Sequence, residues 1–202
     1  MPLPTFLICG AKKAGTTALA RYLSEHPNVI MSQPKETGFF YEKYDRGLDW
    51  LRGRYEHYDG ETAIGEGSAS NMYRLKAAKK INSIIPDVGL IFILRNPVER
   101  AYSHYHYDLS CGRIDPSTKF QDVIYEPKKS GHRDILEMGF YDDHLNRFDN
   151  FFNSEQILIL FSVDLKKDTC KVVKKVHEFI GVEPKAPSSL EEHNVTKNIK
   201  YR

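Results

Sequence analysis

Near the start of the chain a short apolar run, a glycine loop and a helix-like pattern follow one another, and this order strongly constrains the fold. The apolar run covers residues 5–9, the loop contains Gly10 and Gly15, and the helical pattern covers residues 18–23. Loop glycines let backbone N–H groups turn toward an anion, and the N-terminus of a helix adds partial positive charge. The segment therefore predicts a phosphate-binding loop between a strand and a helix.

The loop departs from the nucleoside-triphosphate version of this motif, which reads G-x-x-x-x-G-K-[ST]. The two glycines have the required spacing and Thr17 fills the last position, but Thr16 stands where that motif has its lysine. The lysines lie inside the loop instead, as Lys12 and Lys13. From there a lysine reaches the first group beyond a single 5′-phosphate, so we predict an anion shorter than a triphosphate. The alternative is an ordinary strand-to-helix turn with two solvated lysines.

Length and composition indicate an ordinary globular chain. Its 202 residues suit a single domain over residues 1–202, with a polar, loop-like tail over residues 184–202. A net charge of +2 gives no electrostatic reason to expect nucleic acid as a partner. No segment is long and apolar enough to span a bilayer, so we expect no membrane association.

The cysteines bear on the compartment. Cys9, Cys111 and Cys170 are odd in number, and their spacing fits no metal site. We therefore expect free thiols, a reducing compartment and a cytoplasmic location.

Strand and helix patterns alternate along the chain. Strands are predicted over residues 5–10, 29–31, 63–65, 88–94 and 156–161. Helices are predicted over residues 16–26, 48–58, 75–85, 140–152 and 169–180, and from residue 97 onward. This alternation predicts an α/β fold, a three-layer P-loop-NTPase-like domain with a central, mostly parallel sheet.

The clearest strand, over residues 88–94, leads directly into a helix start. Asn96 is the predicted N-cap, Pro97 occupies the first helical position and Glu99 closes a capping box. Arg95 follows the strand and Ser103 lies about two turns along the helix, so both can contact a second anion near the loop. A surface or capping role for Arg95 is the alternative.

The chain shows no sign of a metal site. A P-loop kinase places a carboxylate at the end of a neighbouring strand to hold Mg²⁺, whereas the strand over residues 88–94 ends in Arg95. His104 and His106 are two residues apart on a predicted helix and face different ways. We expect them at the surface or along a groove, and we predict no metal ligands.

Four segments together resemble one family. Residues 10–17, 35–40, 94–103 and 139–145 look like the motifs of sulfotransferases that use 3′-phosphoadenosine 5′-phosphosulfate (PAPS), whose desulfated product is PAP. The resemblance is closest to the branch that contains the heparan sulfate N- and O-sulfotransferases, and it extends from about residue 6 to residue 197.

The resemblance implies a role for each matching residue. Lys13 matches the catalytic lysine, although the register leaves Lys12 as an alternative, and Glu36 matches the catalytic base. Arg95 and Ser103 match the pair that binds the 3′-phosphate. The loop implied to hold the 5′-phosphosulfate consists of Lys12, Lys13, Ala14, Gly15, Thr16 and Thr17. The late basic loop implied to close over the donor contains Lys197 and Asn198.

The acceptor is less constrained. Lys35, Ser68 and Tyr73 are predicted to line its cleft, with an ordinary strand-exit loop as the alternative for the last two. A carbohydrate-like hydroxyl is the first expectation and an amine the second. The aromatic side chains that either stack on a sugar or belong to the core are Trp50, Tyr102, Tyr105 and Tyr107.

The chain also departs from the pattern of that branch. Relatives of this type run on past the late basic loop, so this chain is either a compact version or lacks its end. The heparan enzymes are lumenal and membrane-anchored, whereas we expect no membrane anchor in this chain. The resemblance therefore does not imply a glycosaminoglycan acceptor. Two other function classes stay open, a P-loop small-molecule kinase and a non-catalytic module that binds PAPS or PAP.

Overall fold

A five-stranded parallel sheet forms the centre of the molecule. The computed structural model describes residues 2–127, 132 and 134–188. The strands occur in the sheet order β2-β3-β1-β4-β5, and every neighbouring pair is parallel. They are β1 (Phe6–Gly10), β2 (Val29–Met31), β3 (Ala63–Glu66), β4 (Gly89–Leu94) and β5 (Ile157–Phe161). The predicted α/β fold with a mostly parallel sheet is confirmed.

The central strands form the hydrophobic core. Every residue of β1 is buried, and β4 is buried over its four inner residues. Leu7 pairs with Leu90 and Ile8 pairs with Ile91 across the two strands. Such continuous apolar runs are typical of parallel strands covered on both faces. Edge strand β5 alternates instead, and Ile159 and Phe161 are exposed.

Helices cover the sheet. They are α1 (Thr16–Ser24), α2 (Gly47–Arg52), α3 (Ala77–Ile84), α4 (Pro97–Ser110), α5 (Phe120–Tyr125), α6 (Asp134–Glu137), α7 (Tyr141–Asp149), α8 (Ser162–Lys167) and α9 (Thr169–Phe179). Helix α1 packs against α9, and α3 packs against α7. Right-handed crossovers place these two pairs on opposite faces, because the chain moves in opposite directions along the sheet after β1 and after β3. None of the described helices has the length and apolarity to cross a membrane.

Several element boundaries differ from the sequence-based prediction by one to three residues, and the helix predicted over residues 48–58 differs most. The helix predicted over residues 48–58 ends at Arg52 and continues as a short 3₁₀ turn, Gly53–Tyr55. The helix predicted over residues 16–26 ends at Ser24. His26 anchors the following turn instead, because its ring Nδ1 accepts from the Asn28 backbone N–H at 3.1 Å.

The start of α4 was predicted correctly in one respect and wrongly in another. The Asn96 side chain accepts from the backbone N–H groups of Val98 and Glu99, at 3.0 and 3.3 Å, so the N-cap is confirmed. The prediction that Glu99 closes a capping box is wrong. The Glu99 carboxylate instead accepts from Nε of Arg95 at 3.1 Å. The residue that ends β4 is thereby tied to the first turn of α4.

The parallel topology places the carboxyl ends of all five strands at one edge of the sheet. The phosphate-binding loop follows β1, the segment with Lys35 and Glu36 follows β2, and Arg95 follows β4. The chain reverses its direction along the sheet at β1. In open α/β sheets ligands bind at such a switch point, outside the carboxyl ends of the strands.

Candidate functional site

The loop after β1 has the shape of an anion cradle. Lys13 has φ 66° and Gly15 has φ 110°, both in the left-handed region that side chains rarely adopt. The start of the loop is held by the neighbouring strand β4, because the Ala11 N–H donates to the Ile93 carbonyl at 2.8 Å. These conformations bend the chain tightly into the N-terminus of α1.

In the first turn of α1, the backbone N–H groups have no acceptor within the helix itself. Its N-cap is Gly15, which has no side chain to offer, and its first turn carries no acidic residue. Among the described residues, no acceptor serves the backbone N–H groups of Gly15, Thr16 and Thr17. Open N–H groups at the positive end of a helix dipole are the physical requirement for binding phosphate or sulfate.

The two loop lysines lie in different surroundings. The Lys13 ammonium lies 4.1 Å from the centroid of the Tyr107 ring on α4. The Lys12 backbone N–H donates to the Tyr73 hydroxyl at 3.0 Å. Burial lowers the pKa of both lysines, while the nearby Asp108 carboxylate opposes that shift. Tyr73 thus supports the loop with the hydroxyl that was predicted to face the acceptor.

Arg95 reaches the loop from the next strand. Its Nη1 donates to the Lys13 carbonyl at 3.3 Å, and its Nε donates to Glu99. Ser103 is half-buried on the helix that Arg95 precedes. The structure therefore brings Arg95 to the Lys13 loop, as the strand-end pattern predicts, and the 3′-phosphate roles of Arg95 and Ser103 stay predictions.

Glu36 and Lys35 form an ion pair in the segment that follows β2. Lys35 Nζ lies 3.0 Å from Glu36 Oε1, and the Glu36 side chain is 46% exposed. Glu36 acts electrostatically on Lys12, which places the carboxylate on the loop side. The Lys35 stem lies directly over Gly67, where a Cβ atom would be 2.9 Å from Lys35 Cε. The roles of Glu36 as the base and of Lys35 in acceptor binding stay predictions.

Ser68 corrects one prediction. It was expected to line the acceptor cleft, but its side chain is fully buried. Its hydroxyl donates to the Glu66 carboxylate and accepts from the Gly38 N–H at 3.0 Å. Because its side chain is fully buried and its O–H is already donated to Glu66, Ser68 supports the neighbouring loop and is not exposed to an acceptor.

Glu66 is the residue that sequence reasoning missed. It ends β3, is fully buried, and accepts from the N–H and hydroxyl of both Thr37 and Ser68. Burial raises the pKa of Glu66, and these four hydrogen bonds oppose that shift. A carboxylate at the end of a strand next to β1 was the signal that could have revealed it. Because its oxygens are engaged, Glu66 fixes the segment that carries Glu36.

Replacing Glu66 with alanine should lower the free energy of unfolding by about 2 to 4 kcal/mol, because it leaves several buried donors without an acceptor. Urea unfolding would measure the loss. Glu56→Ala, which removes an exposed carboxylate, is the matched control and should leave stability near that of the unmutated protein. Equal stability of the two variants would mean that the Glu66 contacts add nothing.

One of the two α4 histidines, His104, corrects another expectation. His104 is buried, not at the surface or along a groove, and burial lowers its pKa to about 4. Neutral His104 accepts from Arg100 at Nδ1, 3.3 Å away, and donates from Nε2 to Asp108, 3.3 Å away. Asp108 also pairs with Arg113 at 3.0 Å. The described residues hold no group of three or more His, Cys, Asp or Glu side chains suited to a metal.

Two of the predicted site residues lie outside the part of the chain that can be described. Lys197 and Asn198 fall in residues 189–202, beyond the described segment. Their predicted role in closing over the donor stays a prediction. Of the aromatic candidates, Tyr105 belongs to a small core cluster between α4 and α5, whereas Tyr102 and Tyr107 are exposed.

Comparison with known proteins gives a consistent result. The profile of the family described as Sulfotransferase domain matches residues 3–202. Bifunctional heparan sulfate N-deacetylase/N-sulfotransferase 4 of Mus musculus is 32% identical over 200 residues, which cover 90% of this chain and 23% of that protein. Heparan sulfate glucosamine 3-O-sulfotransferase 6 of Mus musculus is 32% identical over 201 residues, which cover 97% of this chain and 57% of that protein.

A solved structure supports the same relationship. The crystal structure of a sulfotransferase from Alicyclobacillus acidocaldarius superposes with a TM-score of 0.85 at 25% sequence identity. The match covers 96% of this chain and 88% of that chain. Against the two mouse relatives, by contrast, the chain spans 23% and 57% of their length.

Proposed function

The chain belongs to the sulfotransferase family, and from that premise we propose that it transfers a sulfuryl group from PAPS to a carbohydrate-like acceptor. The acceptor group is a hydroxyl or, as the second choice, an amine. The observation that carries the proposal is the open N-terminus of α1, with Lys13 and Arg95 joined through the Lys13 carbonyl.

The site suits the two charged ends of PAPS. The N–H groups of Gly15, Thr16 and Thr17, for which the described part of the chain supplies no acceptor, offer hydrogen bonds to the 5′-phosphosulfate, and the helix dipole favours its negative charge. The Arg95 guanidinium, with Ser103 on the adjoining helix, offers a second cationic position for the 3′-phosphate. The proposed donor-binding residues are Lys12, Lys13, Ala14, Gly15, Thr16, Thr17, Arg95 and Ser103.

Two side chains carry the chemistry in this proposal. The acceptor oxygen or nitrogen forms a bond to sulfur, and the bond from sulfur to the bridging phosphate oxygen breaks. Negative charge builds on that bridging oxygen, so the Lys13 ammonium stabilises the transition state more than the ground state. Glu36 accepts the proton that the acceptor loses, and PAP departs with the electron pair of the broken bond.

We further propose that transfer needs no divalent metal. A triphosphate concentrates charge that Mg²⁺ must neutralise, whereas a phosphosulfate has less charge to offset. The carboxylate at the end of β3, Glu66, is fully buried and accepts hydrogen bonds from Thr37 and Ser68, so it has a structural role in this fold. These features, with Thr16 in the P-loop lysine position, favour sulfuryl transfer over the kinase alternative.

The cleft around the loop lysines offers groups that suit a sugar. The Arg113 guanidinium lies 5.5 Å from the Tyr107 ring centroid, and the Arg74 guanidinium lies 5.2 Å from the Tyr41 ring centroid. Aromatic faces and guanidinium groups side by side can stack on a sugar ring and bind its oxygens. Lys35 adds a further donor. The names of the two mouse relatives support the choice of a carbohydrate-like acceptor.

Two wider expectations stay predictions within this proposal. One is the single domain over residues 1–202. The other is a cytoplasmic, reducing compartment, which the free thiols of Cys9, Cys111 and Cys170 support.

A transfer assay tests the proposed function. The protein would be incubated with sulfur-35-labelled PAPS in EDTA, with amino-sugar oligosaccharides in one panel and neutral oligosaccharides in the other. We expect label on at least one saccharide and release of one PAP for each sulfate transferred. If no saccharide receives sulfate, and the protein instead transfers the γ-phosphate of ATP in the presence of Mg²⁺, the proposal is wrong and the protein is a kinase.

A further inference from the structure

Tyr141 holds the backbone of Arg95 from both sides. The Tyr141 hydroxyl donates to the Arg95 carbonyl at 2.8 Å, and the same oxygen accepts from the Arg95 N–H at 3.4 Å. Tyr141 is the first residue of α7, and it is partly buried. A phenol group can serve both a donor and an acceptor on one residue, whereas phenylalanine can serve neither.

The side chain of Arg95 is held at two further points. Its Nε donates to Glu99 on α4, and its Nη1 donates to the carbonyl of Lys13 in the phosphate-binding loop. Arg95 therefore joins three elements, α7 through its backbone, α4 through Nε and the loop through Nη1. The contact with Lys13 connects the proposed 3′-phosphate position with the loop that carries the proposed catalytic lysine.

We infer that Tyr141 is a positioning residue, which fixes Arg95 so that its guanidinium reaches the 3′-phosphate of the donor while bonded to the Lys13 carbonyl. The inference rests on the proposed function, because it assigns Tyr141 a part in the recognition of the 3′-phosphate of PAPS. Tyr141 acts through Arg95 and touches neither the reacting sulfur nor the acceptor.

The position of Tyr141 depends on how α7 begins. Gly139 lies against the first residue of α4, and a Cβ atom there would be 3.1 Å from Pro97 Cβ and 3.1 Å from the Leu136 carbonyl oxygen. Both contacts are tighter than ordinary van der Waals contact. The start of α7 thus packs on the start of α4, and the Tyr141 hydroxyl reaches Arg95, two residues before α4 begins.

A purely structural role for Tyr141 would weaken all ligands alike, whereas the inferred role acts on the 3′-phosphate alone. The decisive quantity is the ratio of the Kd for AMP, which lacks a 3′-phosphate, to the Kd for PAP. Calorimetric titration of the purified protein would give both values. We expect Tyr141→Phe to reduce this ratio about fivefold to tenfold, with the AMP affinity unchanged. Tyr44→Phe removes a phenol hydroxyl that contacts Ser83 on α3, 3.5 Å away, and should leave the ratio unchanged.

Two further variants keep the test decisive. Gly139→Ala adds a Cβ atom 3.1 Å from Pro97 Cβ and from the Leu136 carbonyl oxygen, so the contact between the starts of α7 and α4 must shift by a few tenths of an ångström. It should therefore reduce the same ratio, and it replaces Tyr141→Phe if that variant does not fold. In an Arg95→Ala background, Tyr141→Phe should have no further effect on the ratio. An unchanged ratio in Tyr141→Phe, an equal loss of AMP and PAP affinity, or a persisting effect without the Arg95 side chain would overturn the inference. If the unmutated protein does not prefer PAP over AMP, the proposed function itself fails, and the two failures are therefore distinguishable.

Discussion

Lys13→Ala should reduce kcat for sulfuryl transfer by about 10² to 10³-fold while leaving the Kd for PAP within a few-fold of the original. The ammonium is needed where charge develops on the bridging oxygen, and this charge is absent from bound PAP. The backbone N–H groups proposed to bind the 5′-phosphate belong to the loop and persist in the variant. Steady-state kinetics with labelled PAPS, together with PAP titration, would separate the two effects.

Lys12→Ala decides between the two candidate lysines. Lys12 binds the Tyr73 hydroxyl through its backbone, which the substitution keeps, so we expect a smaller loss that falls on KM. Lys79→Ala, an exposed lysine on α3, controls for loss of a positive charge. A loss of kcat confined to Lys12→Ala would assign the catalytic role to Lys12.

The lowered pKa of Lys13 adds a dependence on pH. Burial favours the neutral amine, so the ammonium is lost at a lower pH than an ordinary lysine with a pKa of 10.5. The charged form is the active one. Consequently kcat should fall as the pH rises through the lowered pKa of Lys13, and the fall should begin below 10.5.

Glu36→Gln should reduce kcat by about 10² to 10⁴-fold without weakening PAP, because the amide keeps the size of the side chain but cannot accept the proton. Loss of the ion pair with Lys35 should matter little, since the Glu36 side chain is 46% exposed and water screens the pair. Turnover assays and PAP titration on the same preparation would measure both quantities. Glu42→Gln, an exposed carboxylate in the same loop region, is the matched control.

The result for Glu36 also separates an enzyme from a binding module. Retained PAP binding with lost turnover in Glu36→Gln means that Glu36 is the base of an enzyme. Full turnover in that variant would mean that another residue acts as the base. If the unmutated protein binds PAP but transfers sulfate to no acceptor, the reading as a non-catalytic module is favoured instead.

Local signals made much of the fold predictable. The run that became β1, the loop glycines and the pattern of α1 are adjacent in sequence, and each depends on its own neighbours. The Asn96–Pro97 start of α4 is a local signal of the same kind. The expectation of a parallel sheet was enough to predict that Arg95 lies near the phosphate-binding loop, because the carboxyl ends of parallel strands lie at the same edge.

The errors concern residues whose roles depend on distant packing. Ser68 was expected at the cleft, but β3 places it beside Glu66 and Thr37, and no local pattern shows that the carboxylate needs its hydroxyl. His104 was expected at the surface or along a groove, but it is buried in α4, against which α6 packs. In particular, Arg100 beside it bonds to the Ile135 carbonyl. The Tyr141 contact with Arg95 spans 46 residues of sequence and was equally hidden.

The most direct measurement is a calorimetric titration with PAP in EDTA, repeated on Arg95→Ala and compared with ATP in Mg²⁺. We predict that PAP binds without metal, that Arg95→Ala weakens it at least about tenfold, and that ATP with Mg²⁺ binds poorly. A loss of tenfold corresponds to about 1.4 kcal/mol, the scale of a charge-assisted hydrogen bond. Tight binding of ATP with Mg²⁺ and none of PAP would contradict the assignment of this site to a PAPS-dependent sulfotransferase.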